Sequence, residues 1–461
     1  MCVGFNDSSL HHFHLPIIKI IVSLKNHRTN SNIIIIDNHL SLSLSHGFER
    51  PSEVVPVWKA LLLVLTLCAI FSISLSKMND TTNYDQILIN SEKPKPSKSH
   101  DYTFHFAIHG NVYPLGYYTV KVAIGNPPKL YDLQIDSGSD LTWVQSKPYD
   151  SCPPGSKYNP YNPNNNLQCN DPLCGAPNKK CGHFPGPCNY TMRYADGLSC
   201  SGVLVKDFIS FRLDDDSIIR HSVGFGSGVD IKHQHPLYHN VHGLFGLGHG
   251  KIGILSQLSS LGYIRNVFGH CLSSKGGGRL FLGDDKTSKS FIWIPILKTT
   301  PHSLINHYRA GPVDILFDGK QQIVKGDDVI FDSGSTYTHL NRRAYKALLD
   351  RINNDIGKKL QRAMSDHPWL ICWKGQNLFG YFKNIVLNFP KTNSQFILTP
   401  QSYLIVSELH NTCLGILLIS IKGFENINII GGISLQDKLV IYDNEKMQIG
   451  WSPDNCVVPL F

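Results

Sequence analysis

Two identical four-residue words, 196 positions apart, constrain this chain more than any other feature of it. The first ends the stretch Tyr131-Asp-Leu-Gln-Ile135, in which Tyr131, Leu133 and Ile135 alternate with Asp132 and Gln134. That is the period-2 pattern of a half-buried strand, and it delivers Asp136 into Ser137-Gly138-Ser139 at the end of a rigid element. The second copy follows Val329-Ile330-Phe331 and reads Asp332-Ser333-Gly334-Ser335. A single strand-end Asp-Ser-Gly is most often only a turn. Two copies with matched surroundings require more. Leu244-Phe245-Gly246 lies 110 residues beyond Asp136, and Ile429-Ile430-Gly431 lies 99 residues beyond Asp332. Each half therefore reads as one copy of a duplicated unit.

With 461 residues, 42% of them hydrophobic, the chain can fill two cores. The net charge of +8, from 43 basic and 35 acidic residues, is spread without a basic run. Such a distribution argues against nucleic-acid or membrane-surface binding. Ten of the twelve cysteines follow a hydrophobic segment, and six lie from Cys152 to Cys200. Disulfides of a secretory compartment explain this usage. Zinc is the competing explanation, but separations of 17, 5, 7, 7 and 12 positions contain no C-x-x-C pair.

Residues 1–53 show no caps and no repeat. They read as an unassigned N-terminal extension, either a disordered tail or an untranslated or intronic stretch carried into a gene model. Ala60 to Leu75 is a run of sixteen mostly apolar residues after Lys59. It suits a signal-peptide core within residues 54–76, with an uncleaved signal anchor left open, since a full span needs about twenty residues. Residues 77–109, with Lys93-Pro-Lys-Pro-Ser-Lys98, read as a linker or pro-segment. The first lobe is expected over 110–285 and the second over 286–461. Cys152 to Cys188 reads as a disulfide-stapled loop, and Tyr190 to Val205 as a hairpin. After the second motif, Asn341 is a plausible N-cap for a helix with Tyr345, Leu348, Leu349, Ile352 and Ile356 on one face. Val440 to Tyr442 and Ile449 to Trp451 are expected to complete the second lobe's sheet.

The region from about Gly110 to Cys456, three quarters of the chain, resembles the pepsin-like aspartic proteases. Within them it is similar to the plant nucellin-like branch, through Gly110-Asn-Val-Tyr-Pro-Leu-Gly-Tyr-Tyr118, Ile124-Gly-Asn-Pro-Pro-Lys129, Asp140-Leu-Thr-Trp-Val144, Cys372-Trp-Lys-Gly375 and Val440-Ile-Tyr-Asp-Asn-Glu445. The resemblance implies a mostly β, bilobal double barrel with a few short helices and a cleft between lobes. It also implies an endopeptidase acting in acid, with Asp136 and Asp332 as the catalytic pair. Ser137 and Ser333 would brace the junction, Gly138 and Gly334 would allow close approach, and Ser139 and Ser335 would bond the carboxyls. Tyr194 occupies the family's flap position, and Trp143, seven residues after Asp136, matches the tryptophan that steadies it. On their own, Tyr194 reads as a half-buried hairpin residue and Trp143 as core.

The family's pairing implies disulfides Cys372–Cys413 and Cys271–Cys456. It implies no metal and no cofactor, polypeptide substrates, a monomer, and an extracellular or vacuolar location. Membrane attachment is expected only if residues 60–75 are retained as an anchor. The sequons at Asn79 and Asn189 become glycosylation candidates in such a compartment. Some positions depart from the branch: Ser146 and Ser227 replace cysteines, which suggests that they are spatial neighbours, His242 replaces an aspartate, and Cys200 is unusual. The rival from another class is an inactive pepsin-fold binding or inhibitor protein. Loss of one aspartate would favour that rival, and both are present.

Overall fold

The computed structural model describes residues 102–456 apart from 147–160, 164, 176–178, 181–185, 196, 214, 233–240, 285–289, 299–306, 366 and 421–424. All of these lie in one of the chain's two compact units; the other comprises residues 2–83 and 151–157. The N-terminal extension, the signal segment, Asn79, Cys152 and Cys181 fall outside the described residues. The described chain is mostly β, in sheets of 14, 7 and 4 strands.

The alternating stretch before Asp136 is the strand Lys129–Asp136. It pairs antiparallel with Tyr117–Ile124 and parallel with Gly243–Gly246, with Asp136 opposite Gly246. Beyond the motif, Trp143–Gln145 returns antiparallel on the far side of Gly243–Gly246. The second half repeats this arrangement. Gln321–Phe331 lies parallel to Asn428–Ile430, and Thr338–Leu340 returns antiparallel to it through His339 and Ile429. In both halves a short apolar strand is threaded between the segments that flank the turn. A Cβ on Gly246 would stand 2.7 Å from the Asp140 carbonyl oxygen, and one on Gly431 would stand 2.8 Å from that of Ser335. Any side chain would collide there, which is why each apolar pair ends in glycine.

Several expectations are corrected. The proposed linker 77–109 runs into the strand Phe104–Asn111, which buries Phe104, Phe106 and Ile108 and joins the largest sheet. Its apolar residues alternate as a strand requires. The strands Lys438–Asp443 and Gln448–Pro453 do not complete the second lobe's seven-stranded sheet. They extend the fourteen-stranded sheet, with Lys438–Asp443 antiparallel to the first-half strand Val267–Leu272. The boundary at 285/286 therefore does not divide the sheets. Nor is the strand before Asp136 half-buried in the simple sense, because Gln134 on its polar face is itself buried.

The helix Arg342–Ile356 is capped by Asn341, whose Oδ1 accepts from the Ala344 amide at 2.9 Å. It buries Ala344, Leu348, Ile352 and Ile356, while Tyr345 and Leu349 flank that face half-buried. Disulfides join Cys174 to Cys188, Cys271 to Cys456 and Cys372 to Cys413. Cys200 is a buried free thiol 3.3 Å from Tyr190 Oη, and burial pushes its pKa up to about 12. Ser227 lies opposite Val144 in a parallel pair, two positions out of register with Ser146. That offset puts their Cα atoms roughly 8 Å apart on standard strand spacings, beyond the range of a disulfide.

Candidate active site

The two motif turns interlock. Ser333 N–H donates to Ser137 Oγ at 2.8 Å, and Ser137 N–H donates to Ser333 Oγ at 3.1 Å. Each hydroxyl also reaches across to the strand before the other motif, Ser137 Oγ to the Phe331 carbonyl at 3.2 Å and Ser333 Oγ to the Ile135 carbonyl at 3.5 Å. A threonine or serine hydroxyl at these positions can both donate and accept, and both capacities are used. Ser137 is fully enclosed and Ser333 nearly so.

The carboxyls are held alike. Asp136 Oδ1 accepts from the Gly138 amide at 2.9 Å, and its Oδ2 accepts from Ser139 Oγ. Asp332 Oδ1 accepts from the Gly334 amide at 2.8 Å, and its Oδ2 accepts from Ser335 Oγ at 2.8 Å. Each carboxyl also lies over the glycine of the other turn. A Cβ on Gly138 would stand 2.7 Å from Asp332 Oδ1, and one on Gly334 would stand 2.7 Å from Asp136 Cγ. Glycine at both places is what lets the acidic groups converge. Backbone bonds fix the turns from beneath: the Leu247 amide donates to the Asp136 carbonyl at 2.8 Å and the Asp332 amide to the Ile430 carbonyl at 3.0 Å.

Above the first turn, Asn189–Arg193 and the long strand Ser199–Arg212 form a hairpin, with Arg193 opposite Ser199. Tyr194, at its tip, accepts a hydrogen bond from Trp143 Nε1 at 2.7 Å. Burial, followed by the negative charge of Asp136, raises the Tyr194 pKa well above its ordinary value, so the phenol is neutral. Trp143 is buried, so that packing and bonding coincide in one residue. Asn189 is exposed on the hairpin.

Several contributors are not among the site residues that the sequence predicts. Gln134 Nε2 donates to the Gly334 carbonyl at 3.1 Å, crossing between halves. Thr336 Oγ1 donates to the Gly116 carbonyl, and Asp140 Oδ1 accepts from the Gly250 amide at 2.8 Å. Asp140 and Thr336 each follow the fourth residue of a motif, which was the available hint. His242 Nδ1 accepts from the Asp132 amide at 2.8 Å, on the strand that carries Asp136. Because the donor is an amide, that nitrogen is unprotonated, in keeping with burial lowering the ring's pKa.

Comparison with known proteins agrees with this construction. Residues 118–284 match the family described as Xylanase inhibitor N-terminal, and residues 315–453 match the one described as Xylanase inhibitor C-terminal. An aspartic proteinase of Oryza sativa subsp. japonica is 35% identical over 382 residues, covering 76% of this chain and 90% of its own. Aspartic proteinase 36 of Arabidopsis thaliana is 28% identical over 404 residues, covering 78% and 80%. Among solved structures, the aspartic proteinase from Irpex lacteus superposes with a TM-score of 0.57 at 16% identity, over 77% of this chain and 99% of that one. Basic 7S globulin from soybean gives 0.61 at 16% identity, over 78% and 99%. The duplicated turn, the fold and the relatives converge, and the chain belongs to the pepsin-like aspartic proteinase family.

Proposed function

We propose that this protein is an aspartic endopeptidase that hydrolyses extended polypeptides in acid, within the secretory pathway and in its extracellular or vacuolar destinations. The observation that carries the reading is the matched seating of Asp136 and Asp332, each bonded by its own turn and lying over the glycine of the other. Two adjacent carboxyls can share one proton, one acting as base and the other as acid. The ionised member takes a proton from a water whose oxygen attacks the scissile carbonyl carbon, while the protonated member donates to the carbonyl oxygen. Collapse of the resulting gem-diol breaks the C–N bond. The ionised carboxyl takes a proton from one gem-diol hydroxyl as the carbonyl re-forms, and the protonated carboxyl gives its proton to the leaving nitrogen, which restores the starting pair. Loss of the shared proton at higher pH would end the acid half of this exchange, hence an acidic optimum.

Tyr194 and Trp143 would act as the flap, closing over an extended peptide and excluding bulk water. The disulfides support an oxidising compartment, in which Asn189 would be open to glycosylation. The substrates are polypeptides, and the working unit is a monomer.

One observation favours a second reading. Both matching families are described by xylanase inhibition, so binding without cleavage is the alternative. Cleavage of a denatured protein across a pH series, with and without a statine-type transition-state analogue, separates the two. Acid-dependent cleavage blocked by the analogue is expected. No cleavage at any pH by correctly folded, fully processed protein would favour the binding reading.

A further inference from the structure

We propose that Gln134 is a positioning residue for Asp332, holding the second motif turn from the strand that carries the first acidic residue. The proposal rests on the peptidase reading above for its kinetic consequence, though not for its structural one.

Gln134 and Asp136 stand two positions apart on the strand Lys129–Asp136, so their side chains leave the same face. Both meet the second turn. A Cβ on Gly334 would collide with the Asp136 carboxyl, and the Gly334 carbonyl accepts from Gln134 Nε2 at 3.1 Å. Ile135, between them, contributes through its backbone, its carbonyl accepting from Ser333 Oγ at 3.5 Å. Three consecutive residues of one strand therefore touch two consecutive residues of the other half's turn.

Enclosure gives the amide bond its weight. Gln134 is 5% exposed, with Thr119 opposite it on one neighbouring strand and Leu244 on the other. A buried amide that loses its partner costs more than the net worth of the bond it made. The duplicated scaffold does not itself require a polar group here. Two positions before Asp332 stands Ile330, buried with Ile419 and Ile429. The first half places an amide where the second places an aliphatic side chain, and that amide reaches the second turn.

The bond acts on the peptide plane that follows Gly334. The Gly334 amide donates to Asp332 Oδ1 at 2.8 Å, and the Gly334 carbonyl shares a plane with the amide of Ser335, whose hydroxyl donates to Asp332 Oδ2 at 2.8 Å. Glycine has the widest backbone freedom of any residue, so the tilt of that plane gains from an external hold. Holding the carbonyl keeps the Ser335 hydroxyl aimed at Asp332. One rigid strand thus places Asp136 directly and Asp332 through Gln134, which fixes each carboxyl relative to the other.

The test compares Gln134→Met, which keeps the length and removes the donor, with Gln134→Glu. Enclosed beside Asp136, the glutamate stays protonated in acid, and its O–H can donate in place of the amide. Expected for Gln134→Met in acid is a fall in kcat of about tenfold with KM within about twofold, the size of one lost positioning bond. Gln134→Glu should keep kcat within about threefold of the wild type. Hydrogen exchange in acid of a peptide spanning residues 332–338 should quicken in Gln134→Met and not in Gln134→Glu, while a peptide spanning 129–135 exchanges as in the wild type. That measurement does not depend on activity. A wild type that cleaves nothing but shows the exchange difference would remove the peptidase reading and leave the hold standing. Should Gln134→Met not fold, Gln134→Thr, a strand former whose hydroxyl is too short to reach, takes its place with the same expectations. Unchanged exchange at 332–338 in the donor-lacking variant would overturn the proposal, as would quickening at 129–135 to the same degree, the mark of a loosened strand. In an active enzyme, unchanged kcat in Gln134→Met, or an equal loss in Gln134→Met and Gln134→Glu, would overturn it too.

Discussion

The turn after Asp136 and the turn after Asp332 are built from the same four residues and hold their carboxyls with the same bonds, yet they are enclosed differently. Above the first lies a hairpin whose tip tyrosine is bonded to Trp143. At the second, Thr336 ties back to Gly116 in the first half. Duplication has kept the symmetry at the two interlocked turns and lost it in what surrounds them. On the proposed peptidase reading, the chemistry would constrain the turns, while access and substrate grip would be set by what each half has added around them.

Substituting the acidic residues is the harshest way to break this symmetry. Asp136→Asn and Asp332→Asn should each lower kcat by roughly a thousandfold or more, the scale of losing an acid–base group. Peptide hydrolysis at the pH optimum measures it. Near wild-type turnover in either variant would mean that the two turns are alike in shape and unequal in function.

Acid compares the surroundings of the two halves. His270, enclosed in the sheet that spans both halves, has a pKa lowered to about 3 by burial, from an ordinary 6.5, and His339 near Asp332 is lowered to about 4. The unfolded chain therefore takes up these protons first. Neither histidine affects stability above about pH 6.5. Below it, each erodes stability until the folded pKa is reached. For His270 the loss from pH 6.5 to 4.5 is roughly 2–3 kcal/mol. Denaturant titrations at both pH values should show His270→Leu losing less than the wild type by about that amount. Parallel curves would mean that His270 is protonated in the fold.

Smaller effects test the crossing bonds. Ser137→Ala and Ser333→Ala should each cost about 1–2 kcal/mol of stability, because each strands an amide of the other turn as well as losing a hydroxyl. Similar losses in thermal or denaturant unfolding sharpen the symmetry; a loss in one variant alone breaks it. Tyr194→Phe belongs to the asymmetric part. Removing the acceptor of Trp143 Nε1 should lower kcat/KM by about threefold to tenfold with the fold unchanged. Unchanged kinetics would dissociate the hairpin tip from substrate handling.

Much of this site was legible because it is local. The Asp-Ser-Gly-Ser words, the alternation before Asp136 and the apolar pairs ending at Gly246 and Gly431 all lie within short stretches, where period and turn chemistry speak directly. Contributions that cross between halves were not legible. Gln134 reads as an outward polar residue of a half-buried strand, and only the neighbouring Gly334 carbonyl explains its burial. The alternation of Phe104, Phe106 and Ile108 was available and was overrun by a linker drawn too long. The placement of Lys438–Asp443 beside Val267–Leu272 depends on pairing between distant segments, and local pattern carries no register of that kind.

That last pairing has a consequence for how the protein is made. Lys438 follows Leu272 by 166 positions, so on a ribosome the strand Val267–Leu272 emerges well before the neighbour that will cover one of its edges. At ordinary synthesis rates the wait is roughly ten to thirty seconds. During it the nascent chain presents a bare, apolar strand edge, the kind of surface that recruits other chains. Cys271 sits on that strand and waits as a thiol for Cys456, which arrives later still. The first half of the molecule thus has this strand edge covered and this thiol paired only when the C-terminal strands are in hand.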